Sequence, residues 1–140
     1  YVPDNVYVLG TMNIADRSLA KLDLAFRRRF AFEELEPTFN DVWMKVVSEK
    51  IEDTGLEEIQ KLRINIEHLN RVIEDDHRLG KPFCLGHSFF TPIQSSTGIQ
   101  EWLNDVVDSQ IKPLLLDYWP DNVSHVDAQC NTLKGISAVC

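Results

Sequence analysis

This sequence predicts a mostly helical protein preceded by the remnant of an α/β core. Three observations carry that prediction. From Phe39 onward, apolar residues recur at the three-and-four spacing of amphipathic helices. Ahead of them, two short apolar runs, residues 6–10 and 30–34, are too short for helices and read as strands. Between the two patterns, Glu36-Pro37 breaks the chain and marks a subdomain boundary. The expected organisation is therefore a core remnant over 1–36, a helical subdomain over 37–120, and a short final helix with a tail over 121–140.

The elements follow in order. Pro3-Asp4-Asn5 is turn chemistry leading into the first strand. A short helix is expected over roughly 22–29, with Asp16 or Ser18 as candidate caps. Both strands need neighbours that the sequence does not supply, so the chain is expected to begin inside a domain. Phe39, Val42, Trp43, Val46 and Val47 then outline a helix over 39–52, with Thr38 and Asp41 spaced as a capping box. Asp53-Thr54-Gly55 ends it. A longer helix spans about 56–79 through Ile59, Leu62, Ile66, Leu69 and Ile73, and Gly80-Lys81-Pro82 stops it.

Beyond that stop, Phe83 to Phe90 is an apolar segment interrupted by Gly86-His87-Ser88. Thr97 and Gln100 are spaced as a capping pair for a helix over 99–118, whose apolar face runs from Ile99 to Tyr118. Pro113 is expected to kink or split that helix near Lys112. A last helix is expected over 123–133 through Val123, Val126, Cys130 and Leu133, with Lys134 to Cys140 frayed.

Composition narrows the classes of function. The chain has 140 residues, and 44% of them are apolar, which is enough to bury a core. No run approaches the roughly 18 apolar residues needed to span a bilayer. No secretory leader is visible, so a cytoplasmic location without a membrane partner is expected. Cys84, Cys130 and Cys140 are too scattered for a disulfide framework or a zinc site and read as free thiols. The net charge of −8 is unevenly spread. Residues 1–29 hold five basic and three acidic side chains, whereas residues 30–140 hold nine and 19. The acidic helical region is a poor nucleic-acid surface, and the basic site is sized for a nucleotide.

The chemistry concentrates in residues 6–32. The first apolar run ends in a polar cluster that includes Asn13, Asp16 and Arg17, and Asn at a strand tip can orient a water or a phosphate. Arg27, Arg28 and Arg29 are consecutive and repel one another, so a folded protein gives some of them an anionic partner. Arginine suits bidentate phosphate recognition and stabilisation of a phosphoryl transition state. The plainer alternative pairs the arginines with Glu33, Glu34 and Glu36 at a helix end. Arg27 is the best candidate for such a structural pair.

GTMNIADRS followed by LAFRRRFAF resembles the second half of a nucleotide-binding domain of the AAA+ class. Within that class it is most similar to the branch typified by McrB, the GTP-dependent motor subunit of a modified-cytosine restriction system. LGKPFCLGHSFF is similar to a further stretch of the same family. Ile14 stands where the family commonly has Thr, and Phe26 where it has Leu. The resemblance covers about residues 1–119.

It implies that Asn13 matches the first sensor, which positions the attacking water. Arg28 and Arg29 match arginines that reach into a neighbour's nucleotide. Asp16 and Arg17 shape the subunit junction or the nucleotide site. His87 lies on a lid element facing the nucleotide, although a hydrogen-bonded structural histidine is the alternative reading. GTP or ATP with Mg²⁺ is the implied cofactor of the full-length parent. A ring of identical subunits, a hexamer by resemblance, is the implied assembly. An McrC-like endonuclease subunit is the implied partner, with DNA bound through a domain outside these residues.

The sequence contains no G-x-x-x-x-G-K-S/T loop to cradle phosphates and no strand ending in consecutive acids for Mg²⁺. These residues are therefore expected to be inactive alone and to bind nucleotide only weakly. Two competing readings stay open: an ATP-using AAA+ protein of another role, and a non-enzymatic helical module whose arginines bind an acidic partner.

Overall fold

A computed structural model of the chain describes residues 3–12, 28–51, 54–92 and 97–136. Two compact units divide the chain, Tyr1–Glu34 and Leu35–Cys140.

In the first unit the turn at Asp4-Asn5 forms as the sequence predicts, closed by the Val6 amide donating to the Pro3 carbonyl at 3.2 Å. The two expected strands do not form: residues 6–12 and 31–34 have no regular secondary structure. A strand satisfies its amides and carbonyls by pairing with a neighbour. Among the described residues neither run has one, and Tyr7 and Leu9 are 93% and 96% exposed. Arg28 and Arg29 lie on a turn. The rest of the short helix expected over 22–29 falls outside the described residues.

Four helices form among the described residues, all in the second unit: α1 (Asp41–Lys50), α2 (Leu56–Asp75), α3 (99–118) and α4 (Val123–Lys134). α1 is capped by Asn40, whose side-chain oxygen accepts from the Trp43 amide at 3.0 Å. The cap therefore sits one residue before Asp41, and Thr38 donates instead to the Glu36 carbonyl. The buried face of α1 is Phe39, Trp43, Val47 and Ile51, whereas Val42 is 69% exposed. A short helix packing on one neighbour buries a single row of side chains, narrower than the full apolar pattern.

α2 carries the centre of the core. Ile59, Leu62, Ile66, Leu69 and Ile73 are all at most 1% exposed, as their spacing predicts. Burying each contributes about 1.5–3 kcal/mol relative to exposure. At its start the Glu58 carboxylate accepts from the Gly55 amide at 3.0 Å. The helix ends at Asp75, earlier than the apolar pattern suggests. Asp76 leaves the helical conformation with its carboxylate held by two donors, the Arg78 amide and the Trp119 indole N–H, each at 2.8 Å. The chain then turns back, and the Gly80 amide donates to the Ile73 carbonyl. Gly80 has φ of +79°, a conformation that glycine reaches without Cβ strain.

α3 is continuous but not uniform. Ile99–Val106 is α-helical, Val107–Ile111 is a wider π turn, and Lys112–Tyr118 resumes the α-helix. Pro113 explains the interruption: it has no N–H to donate, and its ring crowds the carbonyl four residues before it. The wider turn absorbs that clash without breaking the helix. Leu103, Val107, Ile111 and Leu115 remain fully buried through it.

α2 packs against α1, against the short 3₁₀ turn Lys81–Phe83, and against α4, and α4 packs in turn on α3. Side chains tie these pairs at their ends. Asn65 donates to the Thr132 carbonyl at 2.9 Å, and Gln100 to the Lys134 carbonyl at 2.9 Å. Lys134 pairs with Asp108 at 2.6 Å, and Lys112 with Asp127 at 2.8 Å. Val126, Cys130 and Leu133 are buried, while Val123 is half exposed. Ile136 is fully buried, so the chain expected to fray after Lys134 is held at least that far.

The clasp between Asp76 and Trp119 has a pH signature. The indole donor, then the Arg78 amide, hold the Asp76 carboxyl down from its ordinary 3.8 to about 2. A carboxylate with a depressed folded pKa stabilises the fold above its unfolded pKa and loses that contribution as pH falls through the folded one. The melting-temperature gap between the wild-type chain and Asp76→Asn should therefore be constant above about pH 5 and close as pH drops toward about 2. Thermal melts across that range check it; a gap independent of pH would show that the ionised clasp contributes nothing.

Candidate functional site

The residues expected to carry chemistry fall in three places. Asn13, Asp16 and Arg17 lie outside the described residues. Arg28 and Arg29 are exposed on their turn in the first unit. His87 is exposed on a turn of the second unit, residues 87–90.

The His87 turn is built from both sides. Leu85 just before it and Phe90 at its end are at most 1% exposed. Upstream, the Asn70 side chain on α2 meets both backbone polar groups of Leu85. It accepts from the Leu85 amide at 2.7 Å and donates to the Leu85 carbonyl at 3.0 Å. Downstream, the Thr91 hydroxyl donates to the His87 carbonyl at 2.7 Å, and the Trp43 indole N–H donates to that hydroxyl oxygen at 3.2 Å. Within the turn the Phe90 amide donates to the same His87 carbonyl at 3.1 Å. The side chains this frame leaves exposed are those of His87 and Ser88.

Beside the Asn70 clamp lies an open cleft of about 280 Å³. Glu36 and Pro37 line it from the entering segment, Glu67, Asn70, Arg71 and Glu74 from one face of α2, and Lys81 and Cys84 from the turn beyond. Lys81 pairs with Glu36 at 2.6 Å, each side chain being about half exposed. Such an exposed pair is worth about 0–1 kcal/mol. Phe39 also lines it, and three carboxylates against two cations make the lining a mixed surface and not a phosphate cradle. Burial pushes the Cys84 thiol up, Glu74 adds to the shift, and Lys81 only partly offsets it, which disfavours the reactive thiolate. Cys130 in the core is raised by burial as well.

The Mg²⁺ that phosphoryl transfer would need finds no donor set here: among the described residues no group of three His, Cys, Asp or Glu side chains is arranged to hold a metal ion. No described helix is long and apolar enough to cross a membrane.

Residues 61–127, covering most of α2 through the first turn of α4, match the family described as the McrB alpha-helical lid domain. Over 143 aligned positions the chain is 39% identical to the Type IV methyl-directed restriction enzyme EcoKMcrB subunit of Escherichia coli strain K12. That alignment takes in 98% of this chain and 30% of the relative. The chain is McrB-like. Residues 61–127 of its helical unit are the McrB lid region, and the mostly helical fold expected from the sequence is the one observed. The chain spans about a third of the length of the relative it matches.

Sequence reasoning singled out His87 and missed the residues that hold it. Asn70 falls on the polar side of α2 beside Leu69, and Thr91 follows two phenylalanines. Neither pattern signals a hydrogen bond to a loop, and Asn70 reaches Leu85 across 15 positions of sequence. The cleft residues Glu67, Asn70, Arg71 and Glu74 are spaced three, one and three apart, which reads as an ordinary solvated helix face.

The raised thiols give a direct check on this McrB-like lid. In the folded chain, Cys84 and Cys130 should react with a thiol-specific reagent at pH 7 at least about tenfold more slowly than after denaturation, because the thiolate is the reactive form. Stopped-flow labelling of the Cys140→Ser variant with and without denaturant measures this. Equal rates would contradict the burial assigned to both.

Proposed function

We propose that this chain is the second half of the nucleotide-binding module of a ring-forming, McrB-like nucleoside triphosphatase. The observation that carries the reading is the 39% identity to a restriction-enzyme subunit along nearly the whole chain, joined to the lid match. The pairing of GTMNIADRS with RRRF is the part of that likeness that bears on nucleotide chemistry. GTP is the favoured nucleotide on that similarity. Mg²⁺ would supply charge neutralisation on the phosphates when bound. The subunit would drive a separate McrC-like endonuclease on DNA bound elsewhere in the parent.

In this reading each residue has a defined task. Asn13 orients the attacking water through its side-chain amide. Asp16 and Arg17 shape the subunit junction beside the nucleotide. Arg28 and Arg29 meet charge that develops on the transferring phosphoryl group, from the neighbouring subunit. Such charge exists only in the transition state, so an arginine placed there raises turnover without tightening ground-state binding. His87 faces the nucleotide from the lid.

The 140-residue chain by itself is expected to hydrolyse neither GTP nor ATP, since its sequence has no phosphate loop. Turnover above a no-protein control that Asn13→Ala abolishes would overturn this.

In the full-length parent, Arg28→Ala or Arg29→Ala should lower turnover by about 10³-fold or more while nucleotide affinity stays nearly unchanged. Mixing either mutant with Asn13→Ala subunits should restore part of the activity, because a mixed junction can take its intact half from each partner. Assembled mixed rings with no recovery would show that the arginines do not act in trans.

A further inference from the structure

The hydrogen-bonded frame around residues 86–91 is more than a cover for the core. Leu85 and Phe90 already anchor the segment by burial. Apolar anchoring alone seats a loop but leaves slack in its backbone, because dispersion contacts have little directionality. Here directional bonds are added at both ends. The planar amide of Asn70 engages the N–H and the C=O of one residue, Leu85, at 2.7 and 3.0 Å. Two such bonds to one peptide position fix its orientation as well as its distance. The Thr91 hydroxyl takes the His87 carbonyl at 2.7 Å and is itself held by the Trp43 indole. The backbone of His87 is thus fixed from its own carbonyl and from two residues before it, while its side chain stays exposed.

Polar side chains that lock an exposed histidine in one place are what a binding contact requires, since ordering it beforehand removes that entropy from the binding step. We propose that Asn70 and Thr91 are positioning residues that fix His87 for contact with the bound nucleoside triphosphate. This rests on the reading above in which the lid presents His87 to the nucleotide. Neither Asn70 nor Thr91 touches the ligand in this scheme; both act through the backbone of the turn.

The test uses the full-length parent and four variants: His87→Ala, Asn70→Ala, Thr91→Val and the double variant Asn70→Ala with His87→Ala. The readouts are KM and kcat for GTP hydrolysis, equilibrium binding of a non-hydrolysable GTP analogue, and a thermal melt. His87→Ala should raise KM and the analogue Kd by about tenfold. Asn70→Ala and Thr91→Val should each raise KM several-fold with kcat nearly unchanged, and the double variant should bind no worse than His87→Ala alone.

A silent His87→Ala would remove the turn from the nucleotide site and overturn the inference with it. An effective His87→Ala beside silent, folded Asn70→Ala and Thr91→Val would leave the site reading standing and sink the positioning role alone. Losses that add in the double variant would show that Asn70 acts by another route and would also overturn it. Where Asn70→Ala fails to fold, Thr91→Val and its combination with His87→Ala decide by the same criteria.

Discussion

Burial of the apolar stripe of α2 is the constraint on which the helical unit depends. Ile59, Leu62, Ile66, Leu69 and Ile73 occupy one row along a 20-residue helix, and none is more than 1% exposed. An isolated helix of that length is marginal in water, because propagation barely repays nucleation. The stripe must be covered, and α1, the 3₁₀ turn and α4 cover it. α3 then packs on α4 and joins the end of α2 through the Trp119 indole and Asp76. The order of packing follows from which rows are apolar, with α2 exposing its polar face to the cleft.

Polar side chains decide where the helices stop and how the connections run. Asp76 ends α2 by accepting from Arg78 and Trp119, and Gly80 completes the reversal. Asn70 and Thr91 hold the segment beyond it, and Tyr118 donates to the Phe83 carbonyl at 3.1 Å from the far side. Among the described residues no buried side-chain nitrogen or oxygen lacks a partner. Each bond to a loop carbonyl removes one freedom of the chain, so these connections are held in one arrangement.

The division of chemistry between the two units suits the proposed motor. Residues 1–34 carry the arginine segment and the GTMNIADRS sequence, and residues 61–127 of the second unit carry the lid match. Charge follows a different boundary: residues 1–29 are net basic and residues 30–140 strongly acidic, so the sign changes inside the first unit. Neither unit supplies a phosphate cradle or a cation site among the described residues.

The sequence by itself determined the helices and the family. The period of apolar residues on α2 and α3 predicts their buried rows almost residue for residue, because a helix that buries one face must repeat it every three to four positions. The GTMNIADRS and RRRF segments pointed to McrB-like proteins, and the 39% identity along nearly the whole chain bears that family out. Tertiary structure alone decided the rest. Residues 6–10 have a strand's composition, yet strand formation depends on a partner, and sequence pattern carries no information about whether one is present. α2 stops at Asp75 because Trp119 lies 43 positions away in sequence and 2.8 Å away in space. Asn70 reads as a solvated helix residue until the loop it clamps is brought beside it. Periodicity is local and legible, whereas a hydrogen bond between distant residues exists only once the core has placed both ends.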